Sequence, residues 1–137
     1  MGSMILSRII DSTKERVAQY KKQLPLHALR EQAEALHKAK PYTRSFENAG
    51  ANAISCLTEP HYFLGSDEIF TQVREICTLP MLRKDFTIDP YMIYQAKIMG
   101  ANAVLLIVSA LDSMELRDFY ALAESLGLCV LVETHTE

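Results

Sequence analysis

Apolar residues recur at helical spacing along the first third of the chain. Residues 4 to 22 place Ile5, Ile9, Ile10, Val17 and Tyr20 near one face of a helix, with Asp11, Lys14, Glu15 and Lys21 around the rest. This is the period of an amphipathic helix that packs one side on a core. Pro25 interrupts it, because proline lacks an N–H and its ring clashes with the preceding turn. The pattern resumes from Leu26 to His37 through Leu29, Ala33 and Leu36, and Pro41 ends it. Two helices are therefore predicted ahead of any strand.

From residue 50 the character changes. Gly50-Ala51-Asn52-Ala53-Ile54 returns as Gly100-Ala101-Asn102-Ala103-Val104, and Gly127-Leu128-Cys129-Val130 repeats it more loosely. Each glycine follows a helical stretch and opens a short apolar run, as a helix-terminating glycine before a buried strand does. Strands are predicted at Ala53 to Leu57, Met81 to Lys84, Val104 to Val108 and Cys129 to Glu133. Between them, Ser66 can cap a helix running to Cys77, and Asp89 followed by Pro90 is a cap with proline at the first helical position. Asp112 with Glu115 is a near capping box for a helix ending at Leu126. Strands recurring about every 25 residues between helices call for a parallel sheet with right-handed crossovers.

A doubly wound sheet would show a glycine-rich phosphate turn after its first strand, and Leu57-Thr58-Glu59-Pro60-His61-Tyr62-Phe63 is not one. Polar groups instead end several apolar runs: Thr58-Glu59, Lys84 and Glu133. Barrel enzymes collect such groups at the C-terminal ends of their strands. The predicted fold class is α/β, a partial (βα)8 TIM barrel of four consecutive parallel strands preceded by an amino-terminal helical extension. The extension takes residues 4–45 and the barrel segment residues 46–137. Met1-Gly2-Ser3, followed by a second methionine at Met4, reads as a cloning scar and is excluded from the fold. A whole barrel takes roughly 250 residues, so 137 residues hold about half of one.

Composition narrows the partners. The 49% hydrophobic content suits a core-forming domain, and a net charge of -3 with both signs interspersed offers no basic cluster for a phosphate backbone. Nucleic acid is not an expected partner. The longest apolar run, Ala101 to Leu111, is too short to span a bilayer, and no secretory signal opens the chain. Cys56, Cys77 and Cys129 are widely spaced in or beside apolar segments, the pattern of buried thiols in a cytoplasmic protein. None of the four histidines has the spacing of a metal site, and no metal or other cofactor is expected.

The candidate chemistry lies at the strand ends. In Leu82-Arg83-Lys84-Asp85-Phe86 the pleat puts Leu82 and Lys84 on one face and Arg83 and Asp85 on the other. The same counting pairs Leu131 with Glu133. If the leucines point into the barrel, a lysine and a glutamate converge on one mouth, where they could serve as general acid and general base. Solvated strand-end charges fit the same pattern equally well. Arg83 and Asp85 read as braces to neighbouring helices or loops. His61 and His135 could line the mouth, and Phe63 could form an apolar wall or simply pack its loop.

The chain resembles the indole-3-glycerol phosphate synthase family. The resemblance rests on Ala53-Ile54-Ser55-Cys56-Leu57-Thr58-Glu59 with His61 to Ser66, and on Leu79 to Phe86 with Ile88-Asp89-Pro90-Tyr91. Gly100 to Val108 and Leu131-Val132-Glu133-Thr134-His135 follow in family order and spacing. Lys40-Pro41-Tyr42-Thr43-Arg44-Ser45-Phe46 is similar to the family's amino-terminal extension. The resemblance implies Lys84 as the general acid of ring closure and Glu133 as a carboxylate assisting dehydration. It implies Phe63, Phe86 and Leu105 around the aromatic part of the substrate. The implied reaction closes a carboxyphenylamino-deoxyribulose phosphate to an indole with loss of carbon dioxide and water, with no cofactor.

Departures from the family pattern accompany these matches. A Glu-x-Lys strand and an Ala-Ser-Pro-Ser stretch do not occur, and the chain passes from Phe46-Glu47-Asn48 to Gly50 across about one missing βα unit. The barrel segment then corresponds to family strands two to five. Strands carrying the family's Asn-x-Arg, Glu-Ser-Gly and final Gly-Ser turn are not found. A catalytically inactive or weak polypeptide is expected, associating with further copies through open sheet edges. A non-catalytic assembly module and a Schiff-base, aldolase-like barrel fragment using Lys84 are the rival readings.

Overall fold

Four parallel strands pair in the order in which they occur. In a computed structural model describing residues 2–39 and 54–134, these are β1 (Ile54–Leu57), β2 (Met81–Lys84), β3 (Ala103–Ile107) and β4 (Cys129–Glu133), in the order β1-β2-β3-β4. The helices are α1 (Gly2–Gln23), α2 (Leu26–Ala39), α3 (Asp67–Ile76), α4 (Pro90–Met99) and α5 (Ser113–Ser125). An order without reversal is that of a singly wound barrel segment, whereas a doubly wound sheet turns back at its switch point. The α/β partial-barrel architecture with a leading helical part is therefore present.

Alternation along the strands sorts side chains onto two faces. Val104 and Leu106 of β3 join Met81, Phe70, Met92, Ile93 and Phe119 in a large core beneath the helices. Leu82, Ala103, Leu105 and Ile107 form a second cluster on the opposite face, with Phe86, Cys129 and Leu131 against it. The four residues of the inner cluster are each buried, and Phe86, Ala110, Cys129 and Leu131 pack against them. The face that a closed barrel would fill is thus not left bare.

The helix starts follow from local sequence. Ser66 accepts a hydrogen bond from Ile69 N–H at α3, Asp89 accepts from Tyr91 N–H with Pro90 at the first position of α4, and Asp112 and Glu115 make both bonds of a capping box at α5. Gly100 ends α4 at φ 93 and Gly127 follows α5 at φ 76, the left-handed conformation expected of helix-terminating glycines. The repeated asparagine also has a role. Asn102 Oδ1 accepts from Met81 N–H (3.0 Å) and from Arg74 (3.0 Å), tying the start of β2 to the start of β3.

Three expectations from the sequence need correction, and the burial of α4 adds a feature the pattern did not show. α1 begins at Gly2, so Gly2 and Ser3 of the excluded tripeptide lie in its first turn; a nucleated helix extends at little cost through residues that can hydrogen-bond. Ile5 is 57% exposed, while Ile9 and Val17 are buried, so the packed stripe of α1 starts one turn later. β3 runs one residue earlier than predicted, and Val108 turns into a short 3-10 segment, Val108–Ala110. α4 is buried nearly all round, because α2 packs across it from the side away from the sheet. Ala53, the Lys40 to Phe46 motif, the Phe46 to Gly50 junction, the Gly50 repeat and His135 lie outside the described residues.

Candidate active site

The register brings the strand-end residues together. Leu57 pairs with Lys84 and Ile107 pairs with Glu133, so β1 to β4 present one continuous C-terminal edge. Lys84 and Glu133 fall on the same face as Leu82, Leu105 and Leu131, as the pleat requires. Both line a cavity of about 240 Å³, together with Leu57, Glu59, Phe63, Asp85, Phe86, Leu105 and Ile107. All five residues singled out from the sequence, Lys84, Glu133, Phe63, Phe86 and Leu105, meet in this one space.

Its walls are mostly apolar. The rings of Phe63 and Phe86 stack with centroids 6.1 Å apart and planes 23° from parallel, and Leu105 and Ile107 form the buried floor. A planar ring seated there would meet hydrocarbon on most sides, with an ammonium and carboxylates at the rim. Lys84 is exposed and Glu133 half-buried.

Asp85 and Glu59, which both line the cavity, are held by networks of hydrogen bonds within the protein. Asp85 takes a two-point ion pair from Arg16 of α1, 2.8 Å on each oxygen, with side-chain exposures of 8% and 0%. Thr58 donates to Asp85 while accepting from Arg83 Nε, and Arg83 also reaches Met92 O (3.0 Å) and Asp67 (3.1 Å). Burial alone would push the Asp85 carboxyl up, but the Arg16 hydrogen bond and the charges of Arg83 and Arg16 hold it below its ordinary value. Arg16 in turn has its pKa raised: burial works against the charge, and Asp85 outweighs it. Tyr20 donates to Asp67 at 2.6 Å and is pushed up to about 12, by burial first and then by that carboxylate. Arg83 and Asp85 thus brace the strand end against α1, α3 and α4.

Glu59, two residues beyond the end of β1, is fully buried and accepts the backbone N–H groups of His61, Tyr62 and Phe63. Glu59 and Arg16 were not picked out as site residues. A glutamate at a strand end followed by Pro60 and a turn was the available sign for the first. For the second, the only sign was an arginine beside the Ile9-Thr13-Val17 stripe. His61 is exposed beside the loop and does not line the cavity.

These strand-end positions lie inside a recognisable whole. A profile described as indole-3-glycerol phosphate synthase matches residues 7–137. The chain belongs to the indole-3-glycerol phosphate synthase family. Among curated relatives, the indole-3-glycerol phosphate synthase of Carboxydothermus hydrogenoformans is 50% identical over 121 residues, covering 88% of this chain and 44% of the relative. The Campylobacter curvus enzyme of that name is 47% identical over 135 residues, 96% of this chain and 50% of its own length. The Ruminiclostridium cellulolyticum enzyme is 37% identical over 170 positions, 98% of this chain and 65% of that relative. The chain therefore spans about half to two thirds of the length of the family members it matches. The last alignment is longer than the chain itself, so that relative has residues within the matched span that lack a counterpart here. An internal step of that kind accords with the skipped βα unit expected from the sequence.

Proposed function

We propose that the cavity is the aryl end of an indole-3-glycerol phosphate synthase site. Its substrate class is an N-aryl amino-sugar phosphate, carboxyphenylamino-deoxyribulose phosphate, and the reaction belongs to tryptophan biosynthesis in the cytoplasm. The observation that carries this reading is the convergence of Lys84 from β2 and Glu133 from β4 on one pocket walled by Phe63, Phe86 and Leu105. In the reaction, a ring carbon of the anthranilate portion attacks the sugar carbonyl, and Lys84 gives that oxygen its proton. The ring then releases carbon dioxide, the pair of electrons from the broken bond returning to the ring. Glu133 assists the departure of the new hydroxyl as water, which completes the indole. The ammonium is suited to this step because it stabilises negative charge as it develops on the carbonyl oxygen.

This polypeptide by itself is proposed to be inactive or very weak, because the step from Phe46-Glu47-Asn48 to Gly50 leaves out the unit with the family's Glu-x-Lys lysine. The chain contains no tryptophan, so formation or binding of an indole product can be followed by its own fluorescence. The expected result is saturable binding of indole-3-glycerol phosphate with turnover at or near background. Turnover close to that of the longer relatives would remove the inactive half of the proposal, and failure to bind the product would remove the site.

A second reading concerns assembly. Among the described residues β1 and β4 each pair on one side only, and we propose that copies of this chain associate through those edges.

A further inference from the structure

We infer that Glu59 is a positioning residue: its buried carboxylate locks the loop after β1 so that Phe63 stands over Phe86 as a preformed slot for a planar ring. This deepens the aryl-site reading above and rests on it for the identity of the ring. Glu59 has 0% exposure, and its two oxygens take three consecutive backbone donors, His61 N–H at 3.2 Å, Tyr62 N–H at 2.6 Å and Phe63 N–H at 3.1 Å. The Glu59 carbonyl also accepts from Gly65 N–H at 2.9 Å, so one residue closes the loop at both ends. A buried carboxylate is tolerated only when hydrogen-bonded, and charge-assisted bonds from backbone donors are strong and fixed in direction.

The loop would not hold this shape on packing alone. Tyr62, Phe63 and Leu64 are 45%, 46% and 83% exposed, and Leu64 adopts φ 57, an unfavourable left-handed conformation for a leucine. A Cβ at Gly65 would meet Leu57 O at 2.2 Å, so the chain there runs against β1 with no room for adjustment. A half-exposed phenylalanine on such a loop would ordinarily sample several rotamers. Tethering its own amide to a buried charge removes most of that freedom before any ligand arrives, which lowers the ordering cost of binding.

The experiment compares the chain with Glu59→Ala, Glu59→Gln, Phe63→Ala and the Glu59→Ala/Phe63→Ala double variant. Amide exchange and ring-to-ring contacts are read by NMR, and anthranilate binding by the ligand's own fluorescence. In Glu59→Ala the amides of Tyr62 and Phe63 should exchange about tenfold faster, as expected for loss of a charge-assisted bond. The Phe63–Phe86 contact should vanish, while the Leu105 and Leu106 amides keep their protection. Glu59→Gln, which keeps shape and one carbonyl oxygen, should fall between, and it serves as the test should the alanine variant fail to fold. Anthranilate should bind as weakly to Glu59→Ala as to Phe63→Ala, and the double variant no more weakly than Phe63→Ala alone, because both changes remove the same wall.

An intact Phe63–Phe86 contact in both Glu59 variants would overturn the inference. So would a further loss of binding in the double variant, which would mean that the carboxylate touches the ligand directly. If the unaltered chain binds no anthranilate while the loop responds as expected, the hold of Glu59 on Phe63 stands and the aryl-site reading falls.

Discussion

Asp85 shows how much one side chain carries here. It sits one residue beyond Lys84, has no side-chain exposure, and joins α1 to the strand end through Arg16. Breaking a buried ion pair by removing one partner costs about 3–5 kcal/mol, because the other charge is stranded. Asp85→Asn is therefore expected to lower the unfolding free energy by about 3 kcal/mol, read by urea denaturation at neutral pH. The pH dependence follows from the direction of its shift. The folded carboxyl titrates below its unfolded value, so the stability it contributes is fully present above about pH 4 and is lost as pH falls through the folded pKa. The variant should accordingly show a flatter acid limb. Tyr20 acts at the other end of the scale. Its pKa is raised from 10.0 to about 12, so its contribution is intact below pH 10 and disappears as the pH rises through about 12. Tyr20→Phe should flatten the alkaline limb and leave the acid one unchanged.

Among the elements, what the sequence disclosed was whatever its local physics controls. Caps at Ser66, Asp89 and Asp112, the break at Pro25 and the strands ending at Lys84 and Glu133 are short-range effects of hydrogen bonding and sterics, and they are found where the pattern puts them. Alternation along each strand likewise pairs Lys84 with Leu82 and Glu133 with Leu131, and the structure puts both pairs on one face. What could not be read depends on partners far along the chain. Arg16 finds Asp85 across 69 residues, and Tyr91 Oη satisfies the end of α1 by donating to Leu24 O at 2.8 Å and Tyr20 O at 3.2 Å. No periodicity encodes such meetings. The all-round burial of α4 was hidden for the same reason, since it is created by α2. The glycines mark the boundary between the two kinds of information. Gly100 is legible as a helix end, but only the structure shows that an added Cβ would come within 2.8 Å of Arg74 Cδ. Arg74 holds Asn102 and the carbonyls of Cys77 and Leu79, so displacing it disturbs the junction between α3, β2 and β3. Gly100→Ala should cost about 2 kcal/mol in urea denaturation, more than the roughly 1 kcal/mol of left-handed strain alone.

At the scale of the molecule, the question is where a four-stranded parallel sheet meets its surroundings. The buried inner cluster argues against association through the face of the sheet, since Leu82, Ala103, Leu105 and Ile107 are already covered. The edges are different. β4 presents five residues, Cys129–Glu133, whose outward backbone groups meet no strand among the described residues, and Val132 within it is 48% exposed. Each backbone hydrogen bond gained by pairing contributes about 0.5–1.5 kcal/mol net, so several such bonds together with apolar contact suffice for association at micromolar concentration. Pairing of β4 with β4 of a second copy would close a two-fold dimer, whereas pairing of β4 with β1 would continue from copy to copy. Sedimentation velocity distinguishes these, the first giving a single dimer boundary and the second a distribution that broadens with concentration. A lysine on an edge strand opposes the approach of another strand by bringing a charge that pairing would desolvate. Val132→Lys should therefore shift either assembly toward monomer while leaving the helical circular dichroism unchanged. A monodisperse monomer of the unaltered chain, from low to high micromolar concentration, would show that the edges are not association sites.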